Sequence, residues 1–318
     1  MSLPAADAQP TAQPAAVART QSRLSLYAMA LGTVTLWGAS FPLTKAALNY
    51  TGPTAIAFLR WIISALFLVG WLALAGRRVP AAGLEGLKKL LVARWRTVAW
   101  VALVGITLFY FLENLAIRYT TATNAGVLAN LTSVFMVLIG ALLLRERLSR
   151  LEWLALAAAF SGSVLVSQGA GHLAVRGPGL IGDALMIVAT LFGAIYSIGG
   201  KGLSERYPAT VVITAVSTLG ALFLLPLALI EGLRLDLPLA AWGAIVLLGI
   251  GAGALANLWW LELLAMTTAS RAALVLFLIP VVSATLSVTF LQEPVTPLLV
   301  LGSVLVLAGM LAVQRRKS

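Results

Sequence analysis

Residues 120 to 166 occur twice. Shifted by 147 positions, Thr120 to Val166 lies without a gap on Thr267 to Val313, and twelve of the 47 positions are identical. Apolar sequence gives many chance matches, so the polar ones carry the weight: Thr120-Thr121-Ala122 on Thr267-Thr268-Ala269, Glu146 on Glu293, Ser149 on Thr296, Gly162 on Gly309. Each copy reads as apolar helix, short polar turn with one Glu, apolar helix. Both turns end in a helix-start signal. Ser149 with Glu152 is a capping box, and Thr296 is an N-cap followed by Pro297 at the first helical position. An internal duplication fixes an architecture before any single residue does.

The duplicated unit is apolar throughout, and so is the chain. Of its 318 residues 60% are hydrophobic and 10% charged, with mean hydropathy +0.98. A soluble domain carries about 25% charged residues. This chain cannot cover itself with water-facing side chains, so the expectation is an all-α integral membrane protein. No alternating ten-residue pattern points to a β-barrel. With no cysteine, disulfides and thiolate sites are out. The lone His172 sits in a Gly-rich loop and reads as solvated. No cofactor or metal is expected. The net charge of +11 needs no nucleic acid, because the positive-inside rule accounts for it.

Taken in order, residues 1–24 form a tail rich in Ala, Pro and Gln, read as disordered and cytoplasmic. Ten transmembrane helices follow, at roughly 25–47, 53–75, 97–118, 121–143, 150–168, 178–201, 208–230, 238–264, 268–290 and 296–314. Between the second and third, Gly83 to Arg96 reads as a short interfacial helix at an anionic leaflet. With the N-terminus inside, seventeen Lys and Arg fall on the cytoplasmic side and four outside, namely Lys45, Arg118, Arg176 and Arg234. That bias places the chain in the cell inner (plasma) membrane with both termini cytoplasmic.

The duplication reaches beyond its strongest stretch. Leu36-Trp37-Gly38-Ala39 matches Leu191-Phe192-Gly193-Ala194, and Tyr110-Phe111-Leu112-Glu113 matches Trp259-Trp260-Leu261-Glu262. The repeats are therefore 25–168 and 178–314, five spans each. Five is odd, so the two copies cross the membrane in opposite directions. The charges agree: Arg145, Arg147 and Arg150 lie in an inner turn, and their partners Gln292, Pro294 and Pro297 are uncharged in an outer one. Two inverted five-helix repeats are the build of a transporter, with substrate near the midplane between them.

Several stretches carry a resemblance. Trp37-Gly38-Ala39-Ser40-Phe41-Pro42, Phe58-Leu59-Arg60-Trp61, Ala116 to Ala122, the turn Leu144 to Ser149 and Gly182-Asp183 resemble the drug/metabolite transporter superfamily, its EamA branch above all. The likeness covers about residues 25–314. It implies secondary active transport of small metabolites, often amino acids or related compounds leaving the cell. Multidrug or amphiphile efflux and sugar-phosphate carriage are the alternatives within transport. An intramembrane enzyme is another class, but the sequence has no His-Glu-x-x-His and no Gly-x-x-x-x-Gly-Lys. A receptor or channel fits an odd inverted repeat poorly.

Ionisable residues inside spans are the informative ones, since each costs about 2.5–3.5 kcal/mol at mid-membrane. Arg60 is flanked by apolar residues, roughly 10 Å below the outer end of its span. Three settings are open to it: a substrate carboxylate, a salt bridge with a residue such as Glu113, or snorkelling to the interface. It also breaks the repeat, because its partner is Ala215. Glu113 and Glu262 are a matched acidic pair and the candidates for coupling, with a proton as the ion considered. Trp37, Phe41, Tyr110, Phe192, Tyr196, Trp259 and Trp260 gather on four spans as candidate cavity lining. Asn124 and Asn130 either bond between helices or face the pore. Pro42 and Pro280 should kink their helices. The partners expected are a small-molecule substrate and the lipid bilayer, with a monomer or homodimer as the assembly.

Overall fold

A computed structural model describes residues 23–76, 79–120, 125–126, 128–143, 149–169, 178–291 and 295–315. The tail up to residue 22, His172, Asn124 and the turn residues 144–148 lie outside that set. Every regular element among the described residues is helical.

Apolar runs of span length make the long helices. α1 (Arg23–Ala47) and α2 (Pro53–Ala75) lead through a 3-10 turn into α3 (Leu84–Ala102). A π-helical segment, Leu103–Leu108, joins α3 to α4 (Phe109–Tyr119). Then come α5 (Leu131–Leu143), α6 (Arg150–Gly169), α7 (Pro178–Ser204) and α8 (Ala209–Glu231). α9 (Leu239–Val246) runs through a second π-helical segment, Leu247–Leu255, into α10 (Ala256–Met266). α11 (Ala269–Leu276), α12 (Leu278–Leu291) and α13 (Pro297–Arg315) complete the chain. Among the described residues, six continuous helical stretches are long and apolar enough to cross a membrane. Four shorter apolar helices, Leu131–Leu142, Trp153–Gly162, Ala269–Ser283 and Val300–Gly309, fall where the fourth, fifth, ninth and tenth spans were expected.

Packing exchanges partners between the repeats. α1 lies against α10 and α12, and α7 lies in the same way against α4 and α5. α2 packs along α8, α5 along α11, and α6 along α13. Lipid gives helices no hydrophobic reason to associate, so close backbone approach does the work. At Gly162 a methyl group would stand 2.6 Å from the Gly302 carbonyl oxygen, so α6 and α13 meet backbone to backbone.

Helix ends are satisfied across long sequence distances. Glu231 closes α8 and accepts hydrogen bonds from the amides of Thr54 (2.8 Å) and Ala55 (2.9 Å), capping α2. Gly52 leaves room for that carboxylate, which a methyl group there would strike. Gly232, at φ +88, ends α8 in the left-handed region. In the exposed loop beyond, Arg234 hydrogen-bonds Asp236 and holds its carboxyl below the usual range.

Lysines tie the other ends, once in each repeat. Lys45 Nζ donates to the carbonyls of Ile117 (2.6 Å) and Thr120 (2.7 Å) at the end of α4. Lys201 Nζ donates to those of Leu264 (2.8 Å) and Thr267 (2.7 Å) at the end of α10. The 147-residue shift maps Ile117 on Leu264 and Thr120 on Thr267. A cation belongs there, on the last free carbonyls of a helix and the negative end of its dipole.

The short helix expected at Gly83 to Arg96 forms the first part of α3 and is set off from the apolar remainder by a kink, where Arg94 leaves helical geometry (φ −138, ψ 23). The break at Phe277 falls three residues before Pro280, whose ring can make no hydrogen bond to the Leu276 carbonyl and crowds it.

Candidate functional site

The break at Phe277 has a counterpart. Residues 129–130 form a turn before α5, and the 147-residue shift lays Asn130 on Phe277. Around both, amides reach carbonyls three residues back: Thr132 to Ala129, Ser133 to Asn130, Phe277 to Leu274. The two broken helices are stitched together, with Ser133 Oγ donating to the Ala273 carbonyl at 2.8 Å. The π-helical segments are a second matched pair. Irregular backbone frees polar groups that lipid cannot satisfy, so it is tolerated only inside the protein or beside a cavity.

Here side chains meet the freed groups. The Ala252 carbonyl accepts from Trp37 Nε1 (3.1 Å) and from Asn257 Nδ2 (2.8 Å), and the same amide reaches Gly253 at 3.0 Å. Asn257 Oδ1 accepts from the Tyr196 hydroxyl at 3.0 Å. Ser197 Oγ donates to the Gly193 carbonyl (3.0 Å) and accepts from Trp260 Nε1 (3.2 Å).

Trp37, Tyr196, Ser197 and Asn257 border a cavity of about 60 Å³, room for several waters. Ala129 and Thr132 line it from one helix break, Leu276 and Ile279 from the other. The walls are aromatic: Trp37, Phe41, Phe109, Tyr110 and Tyr196. Ser40, Ser197 and Asn257 add neutral polar groups. The charged lining residues are Arg60 and Glu113.

Arg60 is 1% exposed, which removes snorkelling from its three settings. Its Nη1 stands 4.0 Å from Glu113 Oε1, too far for a hydrogen bond but close enough for charge pairing. Its guanidinium carbon lies 4.3 Å from the centre of the Tyr110 ring. Nε and Nη1 are buried and, among the described residues, donate to no acceptor. The site thus holds a cation whose charge is balanced and whose hydrogen-bonding capacity is open.

The structure brings together Arg60, Trp37, Phe41, Tyr110, Tyr196 and Glu113 from the sequence-derived set. Trp260 stands one layer behind, packed edge-on against Trp37 with ring centres 5.5 Å apart. Trp259 faces elsewhere, its ring against Gly32 of α1. Asn130 is fully buried at the helix break, its amide bonded to none of the described residues, and is not part of the described lining. Glu262 is half-buried and off the cavity, unlike its repeat partner Glu113. Sequence reasoning missed Ser40, Phe109, Thr132, Ser197 and Asn257. Asn257 met the same test as Asn130, an amide inside an apolar span; the hydroxyl residues carry no such signal.

The chain is similar to known proteins along most of its length. The model of the EamA-like transporter family matches residues 24–168 and again 180–314. An uncharacterized transporter of Archaeoglobus fulgidus is 32% identical over 291 residues, covering 90% of this chain and 97% of that protein. A "probable terminal-alkyne amino-acid exporter" of Streptantibioticus cattleyicolor is 25% identical, over 89% of this chain and 91% of its own. A solved crystal structure shares the fold, with TM-score 0.74 at 21% identity, covering 93% of this chain and 100% of that one.

Proposed function

The chain belongs to the EamA-like transporter family, and from that premise we propose that it is a secondary active transporter exporting small carboxylate metabolites, amino acids among them. The observation that carries the reading is Arg60: one buried guanidinium, two of its nitrogens unbonded, lining a cavity at the crossing of two broken helices. A planar fork of free N–H groups matches a carboxylate in bidentate fashion. Aromatic walls suit the apolar part of a metabolite. The amino-acid exporter among the relatives supports the same class.

In this reading ten spans form two inverted repeats in the plasma membrane, both termini cytoplasmic, and alternating access rocks one repeat against the other about the cavity. Lys45 then latches the outer ends of its repeat and Lys201 the inner ends of the other. Trp37, Phe41, Tyr110 and Tyr196 line the substrate path, and Arg60 anchors the substrate. Glu113 is the better of the two coupling candidates, because it alone of the pair lines the cavity. A sugar phosphate suits the site less well, since one guanidinium already paired with Glu113 leaves a dianion short of positive charge.

The test is a panel of radiolabelled metabolites in proteoliposomes, with and without a pH gradient. The reading expects carboxylates to exchange, and Arg60→Ala to abolish their movement while sparing any neutral substrate. Movement of amphiphilic cations alone would replace it with efflux of amphiphiles.

A further inference from the structure

The charge inventory of the cavity, read together with the proposed carboxylate substrate, bears on stoichiometry. Among its lining residues are one cation, Arg60, and one carboxylate, Glu113, with side chains 1% and 5% exposed. With both ionised the two charges cancel, and the rest of the described lining is aromatic rings, hydroxyls, an amide and apolar groups. An uncompensated charge in such surroundings is expensive.

Two kinds of carboxylate meet this site differently. A monoanion brings a second negative charge to a single guanidinium. Two carboxylates sharing one small site cannot both stay ionised at low cost, so one takes a proton. The incoming group can engage Nε and Nη1 of Arg60 directly, whereas Glu113 is held at 4.0 Å by charge alone. Glu113 is thus the group that gives way. A zwitterion brings its own ammonium, which faces Glu113 while its carboxylate faces Arg60, and the site stays neutral without a proton.

We infer that proton uptake follows substrate charge: a monoanionic carboxylate binds together with one proton, held on Glu113, and a zwitterionic amino acid binds with none. The step is an acid–base one. A proton from the medium forms an O–H bond on the Glu113 carboxylate, and no electrons move. Arg60 from α2 stands 4.0 Å from Glu113, and Tyr110 from its own helix, Tyr196 from α7 and Asn257 from α10 line the same cavity. Lys45 is engaged one turn further on, by Ile117 and Thr120.

Two probes with one carbon skeleton separate the cases: leucine, a zwitterion, and 4-methyl-2-oxopentanoate, its monoanionic keto acid. Calorimetric titration of the purified full chain, in buffers of different ionisation enthalpy at one pH above that at which free Glu113 ionises, counts protons taken up. The expected counts are one for the keto acid and zero for leucine. Above the pH at which free Glu113 ionises, keto-acid affinity should fall about tenfold per pH unit while leucine affinity stays flat. Glu113→Gln should bind the keto acid with no proton uptake and no such slope, and Glu113→Asp should keep both. Keto-acid binding to the parent without proton uptake overturns the inference and leaves the carboxylate reading standing, as does uptake that survives in Glu113→Gln. If Glu113→Gln does not fold, the proton count of the parent decides alone. If neither probe nor any other carboxylate binds, the carboxylate reading fails and this inference with it.

Discussion

Lys45 and Lys201 do the same work in the two repeats, while Arg60 and Ala215 do not. Both lysines close the end of a helix with two carbonyl bonds at 2.6–2.8 Å. Both repeats carry a π-helical segment, and both break a helix at the same register, Asn130 and Phe277. The backbone is thus nearly two-fold. Charge is not: the first repeat puts Arg60 and Glu113 into the cavity, the second puts Ala215 and Glu262 at the matching positions, and Glu262 stays off the lining. In the proposed reading both halves wall the cavity, and its charged lining comes from the first. Where the halves agree, substitution should affect stability alike; where they differ, only the first half should affect binding.

The largest effect expected is all-or-none. In the inverted arrangement Ser149→Cys is modified by membrane-impermeant thiol reagents only from the cytoplasm, and Thr296→Cys only from outside. The native chain has no cysteine to confuse the result. Labelling of both from one side would break the comparison at its root.

Next comes Arg60→Ala. It strands the Glu113 carboxylate in an enclosed site, which costs about 3–5 kcal/mol when one partner of a buried pair is removed. Thermal unfolding in detergent should show the loss, and adding Glu113→Gln should recover most of it. Failure of the double variant to recover would mean that the pair does not balance its charge internally.

Lys45→Met and Lys201→Met should each cost about 1.5–3 kcal/mol, the range for hydrogen bonds to a charged group, with Lys201 losing at most about 0.5 kcal/mol more through its half-exposed pair with Glu205 at 2.9 Å. A loss confined to one would show that the latches are not equivalent. The smallest effect separates two tryptophans. Trp37→Phe loses one bond to the Ala252 carbonyl, roughly 0.5–1.5 kcal/mol, and should weaken binding measurably. Trp259→Phe, whose ring faces Gly32, should leave affinity unchanged.

Part of this was legible in the sequence, for definite reasons. The all-helical fold and the family follow from apolar runs and a gapless duplication, which no tertiary contact is needed to see. Arg60 is legible because an ionisable residue in an apolar run must be enclosed and partnered, and Glu113 because it recurs at the same register. The π-helical segments are not legible: Leu103–Leu108 and Leu247–Leu255 are apolar, with glycines that suit a dozen other uses. Lys45 and Lys201 read as flanking charges, since their acceptors are carbonyls, which every residue has. The cap on α2 comes from Glu231, 177 residues from Thr54, and only the fold brings the two together. The aromatic set was half resolved because helical phase, which turns Trp260 inward and Trp259 outward, depends on what each face packs against.

The most direct test of the central claim keeps the charge and removes the fork. Arg60→Lys retains a cation beside Glu113 but loses planar, two-point donation. The account predicts an expressed and folded protein with equilibrium affinity for carboxylate substrates weakened roughly tenfold or more. A folded Arg60→Lys variant that binds carboxylates as tightly as the parent would contradict it.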